Sequence, residues 1–85
     1  MASGCITKTG VELDVRYNNV DKIVEFRYNI SNEWEEAFSL ADESPLSVYV
    51  DNNNRWIIVY QDSEGNVLRQ FSTDKGVTWN AQSQS

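Results

Sequence analysis

Three tryptophans are the side chains of this sequence best suited to binding a ligand. Trp34, Trp56 and Trp79 could each stack on a sugar ring, because an indole offers a wide apolar face and one N–H donor at its edge. Packing within the protein explains such residues as well, and it is the favoured interpretation for Trp34 and Trp79. Trp56 follows Arg55 directly after a turn, so this pair is the better candidate for an exposed contact.

The thirteen acidic residues are spaced in a way that selects no catalytic or metal site. A carboxylate pair for glycoside hydrolysis could be drawn from them in many ways, and nothing in the sequence favours one. The oxygen-rich run Asp51–Asn54 has side chains that suit Ca²⁺, yet such runs are usually plain turns. With no histidine and one cysteine, Cys5, the chain can form neither a common zinc site nor an intrachain disulfide. We therefore expect no catalytic residue, no metal and no cofactor.

Charge and hydropathy exclude two classes of partner. Seven Lys and Arg against thirteen Asp and Glu give the 85-residue chain a net charge of −6, and the cations are spread singly among acids. This arrangement argues against nucleic acid as a partner. No apolar stretch approaches the roughly 20 residues that span a bilayer, so membrane insertion is not expected. The first ten residues lack the apolar core of a secretory signal, so export cannot be read from them and the sequence does not indicate a cellular compartment.

The dominant hydrophobic period is two, which predicts β-strands. The predicted strands are Val11 to Tyr17, Val24 to Ile30, Trp34 to Leu40, Leu46 to Val50, Trp56 to Tyr60 and Val67 to Ser72. Trp56 to Tyr60 is almost continuously apolar, which is typical of a strand covered on both faces. No segment has a helical period of sufficient length, so the sequence predicts an all-β fold.

The two halves of the chain resemble each other at a spacing of 43 residues. Sliding Val15–Asn32 by 43 positions places it on Ile58–Lys75 without a gap and matches Tyr17 with Tyr60. Few positions are identical, so a chance match remains an alternative to a duplication. A period of roughly 40–50 residues is the length of one four-stranded propeller blade.

One eight-residue segment carries a resemblance to a known family. Its sequence, Ser72-Thr73-Asp74-Lys75-Gly76-Val77-Thr78-Trp79, matches every fixed position of the Asp box, the turn that recurs in sialidase-type (bacterial neuraminidase repeat) β-propellers. Asp74 can accept hydrogen bonds from turn amides, Gly76 supplies a dihedral that other residues resist, and Trp79 can fold back over the hairpin. Ser72 would end the strand, and Thr78 would brace the turn. A two-residue insertion in the second half aligns Trp34 with Trp79, so the turn before Trp34 resembles a degenerate copy of the motif.

The resemblance implies two propeller-like antiparallel blades in a single domain, 1–85, with no active site. An N-terminal arm would occupy 1–9, a degenerate first blade 10–41, a second blade with the Asp box 45–80, and a tail 81–85. Sialidases assemble their catalytic residues from several blades of a much longer chain. Two blades alone would leave apolar faces exposed, so we expect homo-oligomerisation to complete a β-propeller.

Small two-blade lectins that form six-bladed trimers are similar to this chain in length and rhythm, which implies glycan binding between blades. Their sugar sites pair an Arg with a Glu and tryptophans, and Glu25 lies roughly where that Glu would be. The expected ligand-binding residues of a trimer are therefore Trp56, Arg55 and Glu25. Arg16 is out of register with this pattern, and the second half offers no equivalent glutamate, which puts the sugar specificity in doubt.

Two other functions fit the same residues. The chain could be a structural protein of a larger particle, such as a phage capsid or tail component whose partners are other virion proteins. It could also be an excised or designed pair of blades. Neither reading requires a catalytic group.

Overall fold

The computed structural model describes residues 2–81, and all regular secondary structure within them is β-strand. The first sheet consists of β1 (Ala2–Ile6), β2 (Glu12–Asn18), β3 (Ile23–Tyr28) and β4 (Glu35–Ser39). The second sheet consists of β5 (Ser47–Val50), β6 (Trp56–Gln61), β7 (Val67–Ser72) and β8 (Asn80–Ala81). Each sheet is antiparallel, with its strands hydrogen-bonded in chain order. The prediction of an all-β fold with two antiparallel sheets is confirmed for these residues, and each sheet has four strands.

Both ends of the described chain belong to strands. β1 lies within the segment 1–9, which was expected to be an arm, and it pairs with β2 so that Cys5 faces Leu13. Its sequence before Ile6 has no β-branched or aromatic residue, so the strand is stabilised by pairing with β2 rather than by its own propensity. Of the expected tail 81–85, Ala81 belongs to β8, and 82–85 lie outside the described residues.

The two sheets pack face to face around one core. We call the face of each sheet that enters this core its inner face and the opposite one its outer face. The buried core residues are Leu13, Val15, Tyr17, Val24, Phe26, Leu46, Val48, Trp56, Ile58 and Tyr60. Ile57, on the outer face of the second sheet, is only 2% exposed. β6 is thus buried on both faces, as its continuous apolar sequence predicts.

Two turns show how the sheets correspond. The turns Thr7–Val11 and Asp51–Arg55 each begin with an N–H that donates to the carbonyl of the last residue, at 2.9 and 3.1 Å. In both, the N–H of the fourth residue donates back to the first carbonyl. These fourth residues, Gly10 and Asn54, have positive φ angles of 84° and 65°. The matching turns lie 44 residues apart, one residue more than the spacing of 43 expected for Val15–Asn32.

The hydrogen-bond pattern of the central hairpins gives the direction of stacking. Asn29 N–H donates to Glu12 O, so the inner-face pair Leu13–Tyr28 is a non-hydrogen-bonded pair. Asp62 N–H donates to Asn66 O, so in the second sheet the non-hydrogen-bonded pair Ile57–Phe71 lies on the outer face. In a β-hairpin of L-residues, hydrogen-bonded and non-hydrogen-bonded pairs point to opposite faces of the sheet, and the chirality of the chain fixes which face each kind of pair occupies. The outer face of the second sheet therefore corresponds to the inner face of the first, and the sheets stack head to tail.

Candidate binding sites

The loop after β7 is held together by its own side chains. Ser72 Oγ donates to Asp74 Oδ1 at 2.7 Å and accepts the Gly76 N–H at 2.7 Å. Asp74 also accepts the Thr78 N–H at 2.9 Å and the Thr78 hydroxyl at 2.6 Å. Trp79 Nε1 donates to the Gly76 carbonyl at 3.1 Å. Every fixed position of the Asp-box pattern thus makes a hydrogen bond inside the loop, which gives these residues a structural role.

Asp74 is ionised over almost the whole pH range. The hydroxyl and amide of Thr78, together with the Ser72 hydroxyl, lower the pKa of Asp74 from 3.8 to about 2. These donors favour the charged form because they bond to the carboxylate oxygens. With its oxygens occupied by the loop, Asp74 is not available as an acid or a base for a ligand.

The three expected ligand-binding residues lie in three different places. Trp56 is 4% exposed, and its ring stacks on Tyr28 at a centroid distance of 4.9 Å. Arg55 Nε donates to Asp51 Oδ2 at 2.7 Å, at the edge of the second sheet. Glu25 lies on the outer face of the first sheet, on the side of β3 opposite to the core. The structure therefore does not bring Trp56, Arg55 and Glu25 together as one site.

An aromatic and ionic cluster covers the outer face of the first sheet. Arg16 and Glu25 lie opposite each other in the β2–β3 ladder, and Arg16 Nε donates to Glu25 Oε1 at 2.9 Å. Arg27 forms the neighbouring pair with Asp14, at 3.0 Å. The guanidinium carbons of Arg16 and Arg27 lie 4.2 and 4.6 Å from the ring centroid of Trp34. An Arg, a Glu and a Trp thus lie together on this face, as expected for a sugar site. The residues beside Glu25 are Arg16 and Trp34, however, and not the expected Arg55 and Trp56.

A groove of about 600 Å³ adjoins this cluster, and we call it the outer-face groove. Its lining residues are Gly4, Cys5, Ile6, Glu12, Asp14, Arg27 and Trp34. Within residues 2–81, Arg27 Nε is a buried donor without a hydrogen-bond partner. Burial and the charge of Asp14 raise the pKa of the Cys5 thiol, which keeps it protonated and unreactive as a nucleophile.

Another cavity, of about 340 Å³, opens between the two sheets where three turns converge. We call it the inter-sheet cleft; its lining residues are Thr7, Lys8, Thr9, Tyr28, Asn53, Asn54, Trp56, Thr73 and Lys75. The stacked rings of Tyr28 and Trp56 supply its aromatic wall, and the Tyr28 hydroxyl lies 3.3 Å from Thr9 Oγ1. The remaining lining groups are hydroxyls, amides and two ammonium groups, all of which can hydrogen-bond to a ligand.

Sequence reasoning found one residue of this cleft, Trp56, and missed the rest. The other lining residues come from turns that are far apart in the chain and carry common turn residues. Only the stacking of one sheet on the other brings them together. No local pattern in the sequence signals that convergence.

The outer face of the second sheet carries several apolar side chains, some of them exposed. Tyr49, which is 39% exposed, lies opposite Ile57 in the β5–β6 ladder. Val67, which is 43% exposed, lies on the same face of β7 as the partly buried Phe71. The guanidinium carbon of Arg55 lies 5.4 Å from the Phe71 ring centroid. This face corresponds structurally to the inner face of the first sheet, which the second sheet covers.

Within residues 2–81, no three Cys, Asp or Glu side chains are grouped so that they could hold a metal ion. None of the described segments forms a helix long and apolar enough to cross a membrane. No family model, no curated protein and no solved structure matches the chain.

Proposed function

We propose that this protein is a non-catalytic, lectin-like module that binds carbohydrate in the inter-sheet cleft. The cleft itself is the observation that carries the proposal. Sugars present apolar C–H faces and many hydroxyls, and Tyr28, which is stacked on the buried Trp56, offers aromatic surface beside the hydroxyls of Thr9 and Thr73. A concave site with an aromatic surface and a few convergent polar groups is the usual form of a small-ligand pocket. The volume of about 340 Å³ suits one or two sugar rings.

The lining of the cleft supports binding without catalysis. Hydrolysis of a glycoside needs two carboxylates, roughly 5–9.5 Å apart across the scissile bond. Among the described lining residues there is no carboxylate. Asp74 belongs to the neighbouring loop, and its oxygens are occupied by Ser72 and Thr78.

The proposal includes self-association through the outer faces. Within one chain, the inner face of the first sheet is buried by the second sheet. The outer face of the second sheet corresponds to that inner face: the pair Ile57–Phe71 lies where the first sheet has the pair Leu13–Tyr28. A second copy of the chain would cover this face by continuing the head-to-tail stacking, and such contacts form a ring when the rotation closes. We favour a trimer, which would give a six-sheet propeller.

A glycan array followed by titration of the best ligand tests the binding function. Asn53 and Thr73 line the cleft at exposed positions, and their side chains make no hydrogen bond within residues 2–81. The double variant Asn53→Ala/Thr73→Ala should therefore fold normally and bind the glycan several-fold more weakly. The matched control is Asn19→Ala/Ser63→Ala, at exposed turn positions outside the cleft. Equal weakening by both double variants, or no glycan bound at all, would contradict the proposal.

The outer face of the second sheet favours a second candidate function. A structural component of a larger particle, such as a phage capsid or tail, needs an apolar surface that other subunits cover. Tyr49 and Val67 belong to such a surface. A chain that assembles in solution but binds no glycan would support this second function over the first.

A further inference from the structure

The inter-sheet cleft is cationic although the chain as a whole is acidic. Lys8 and Lys75 both line it, and the net charge of the chain is −6. Lys75 has no hydrogen-bond or ion-pair partner within residues 2–81, and Lys8 Nζ donates only to the neutral carbonyl of Asn52, at 3.1 Å. By contrast, Arg16, Arg27 and Arg55 are each paired with a carboxylate. Of the four cations without a carboxylate partner within residues 2–81, Lys8 and Lys75 both line the cleft, whereas Lys22 and Arg69 lie outside it.

The acids elsewhere on the molecule do not cancel this local charge. At physiological salt the screening length is about 8 Å, and the molecule extends over 36 × 32 × 19 Å, so most of the negative charge acts weakly here. In the sequence, the acid next to Lys75 is Asp74. Its oxygens accept hydrogen bonds from Thr78 and Ser72, which hold them within the loop. Asp74 keeps its negative charge but does not line the cleft, so Lys8 and Lys75 are the only charged side chains among its described lining residues.

The backbone holds Lys75 in a conformation that lysine rarely adopts. Its φ is 60°, in the left-handed region that favours glycine and asparagine. The loop contacts of Asp74 and Gly76 impose this conformation on either side of it. The base of the Lys75 side chain is thus fixed at the rim of the cleft, while its end remains without a partner.

We infer that the carbohydrate bound in the inter-sheet cleft is an acidic saccharide, whose carboxylate or sulfate is bound by the ammonium groups of Lys8 and Lys75. This inference rests on the proposed function and names the class of ligand for the same site. The sugar ring lies against Tyr28, which is stacked on Trp56, and its acidic group supplies the negative charge that pairs with the two lysines. Hydrogen bonds between charged partners are about twice as strong as neutral ones, so the acidic group dominates the selectivity.

The test compares matched oligosaccharides immobilised in neutral, 6-O-sulfated and uronic-acid forms. We expect at least one acidic form to bind about tenfold or more tightly than its neutral counterpart, with an advantage that shrinks as salt is added. The two acidic arms distinguish a sulfate from a carboxylate ligand. Equal binding of neutral and acidic forms would overturn the inference and leave the carbohydrate-binding function standing. Failure of every form to bind would overturn both.

Two lysines with the same backbone conformation provide the matched variants. Lys75→Gln should remove most of the preference for the acidic form, and Lys8→Gln should reduce it. Lys22 has a φ of 58° and lies in the β2–β3 turn, outside the cleft, so Lys22→Gln has the same conformational cost and the same change in net charge. This control should leave the preference unchanged. If it lowers the preference as much as Lys75→Gln does, the effect is one of overall charge and the inference is wrong.

Discussion

Gly76 lies directly against the ring of Phe26. A Cβ atom at Gly76 would fall 2.4 Å from Phe26 Cζ, which is far inside van der Waals contact. Gly76 belongs to the loop that follows β7, and Phe26 lies on the inner face of the first sheet, so this contact joins the two sheets. The Phe26 ring is also held between Trp56 and Trp79, at centroid distances of 6.1 and 5.6 Å. The glycine of the Asp-box pattern is therefore required by packing as well as by backbone conformation.

Gly76→Ala should destabilise the protein by about 2–4 kcal/mol, because the methyl group overpacks the Phe26 contact and an L-residue is disfavoured at φ 92°. Gly65→Ala is the matched control, since Gly65 has a φ of 85° and no atom within 4 Å of the added Cβ. It should cost about 1 kcal/mol, which is the backbone term alone. Urea denaturation measures both free energies of unfolding. Equal losses in the two variants would show that the contact with Phe26 has no energetic consequence.

Asp74 makes the stability of the loop dependent on pH. Its pKa in the folded chain, about 2, lies below its unfolded value of 3.8. Ionised Asp74 therefore stabilises the folded state above about pH 4, and this contribution is lost as the pH falls through about 2. Wild type should exceed Asp74→Asn in thermal midpoint near neutral pH, and the difference should shrink steadily in acid.

The exposed Asp42 supplies the control for this pH dependence. It lies between the two sheets in sequence, and it has no hydrogen-bond or ion-pair partner within residues 2–81. Asp42→Asn should leave the pH dependence of the thermal midpoint as it is in wild type. A difference between wild type and Asp74→Asn that stays constant down to about pH 2 would contradict the role of the Asp74 charge.

Apolar patterns predict six of the eight described strands: β2, β3 and β5 alternate between buried and more exposed residues, and β6 is continuously apolar and buried on both faces. They do not predict β1, whose sequence has no such pattern and whose pairing depends on β2. They also misplace the repeat. The turn between β2 and β3 leaves four residues between the pair Asn18–Ile23, whereas the β6–β7 turn leaves three between Asp62 and Asn66. A shift of one residue exchanges the two faces of a strand, so the expected match of Tyr17 with Tyr60 joins opposite faces.

The candidate site was harder to predict than the fold. A continuous apolar run such as Trp56 to Tyr60 does not reveal which of its side chains faces the other sheet, and Trp56 turned out to face the core. Arg16 is out of register with the pattern of the two-blade lectins, and the pairing of β2 with β3 places it directly opposite Glu25. Contacts of this kind depend on register and on sheet packing. Both are set by the whole chain rather than by neighbouring residues.

Trp34 and Trp79 should differ in their contribution to stability. Trp79 packs on Phe26 within the inner layer, and its N–H is bonded to the loop. Trp34 lies over Arg16 and Arg27 on the outer face of the first sheet, so the repeat does not make these tryptophans equivalent. Trp79→Leu should cost about 2–4 kcal/mol and Trp34→Leu about 1 kcal/mol in urea denaturation. The reverse order would mean that the outer-face cluster stabilises the sheet more than the aromatic packing does.

Self-association should depend on Tyr49, which is 39% exposed on the outer face of the second sheet. In a head-to-tail assembly this face is covered by another copy, so a carboxylate placed there would be buried without a partner, which is costly. Tyr49→Glu should therefore shift the oligomer to monomer while the circular dichroism spectrum of the β-sheets is retained. Val20→Glu is the control, because Val20 is 84% exposed in the β2–β3 turn and lies on neither outer face. Native mass spectrometry and sedimentation measure the species; a wild-type chain that remains monomeric at high concentration would rule out the assembly, and loss of the oligomer in both variants would place the contact elsewhere.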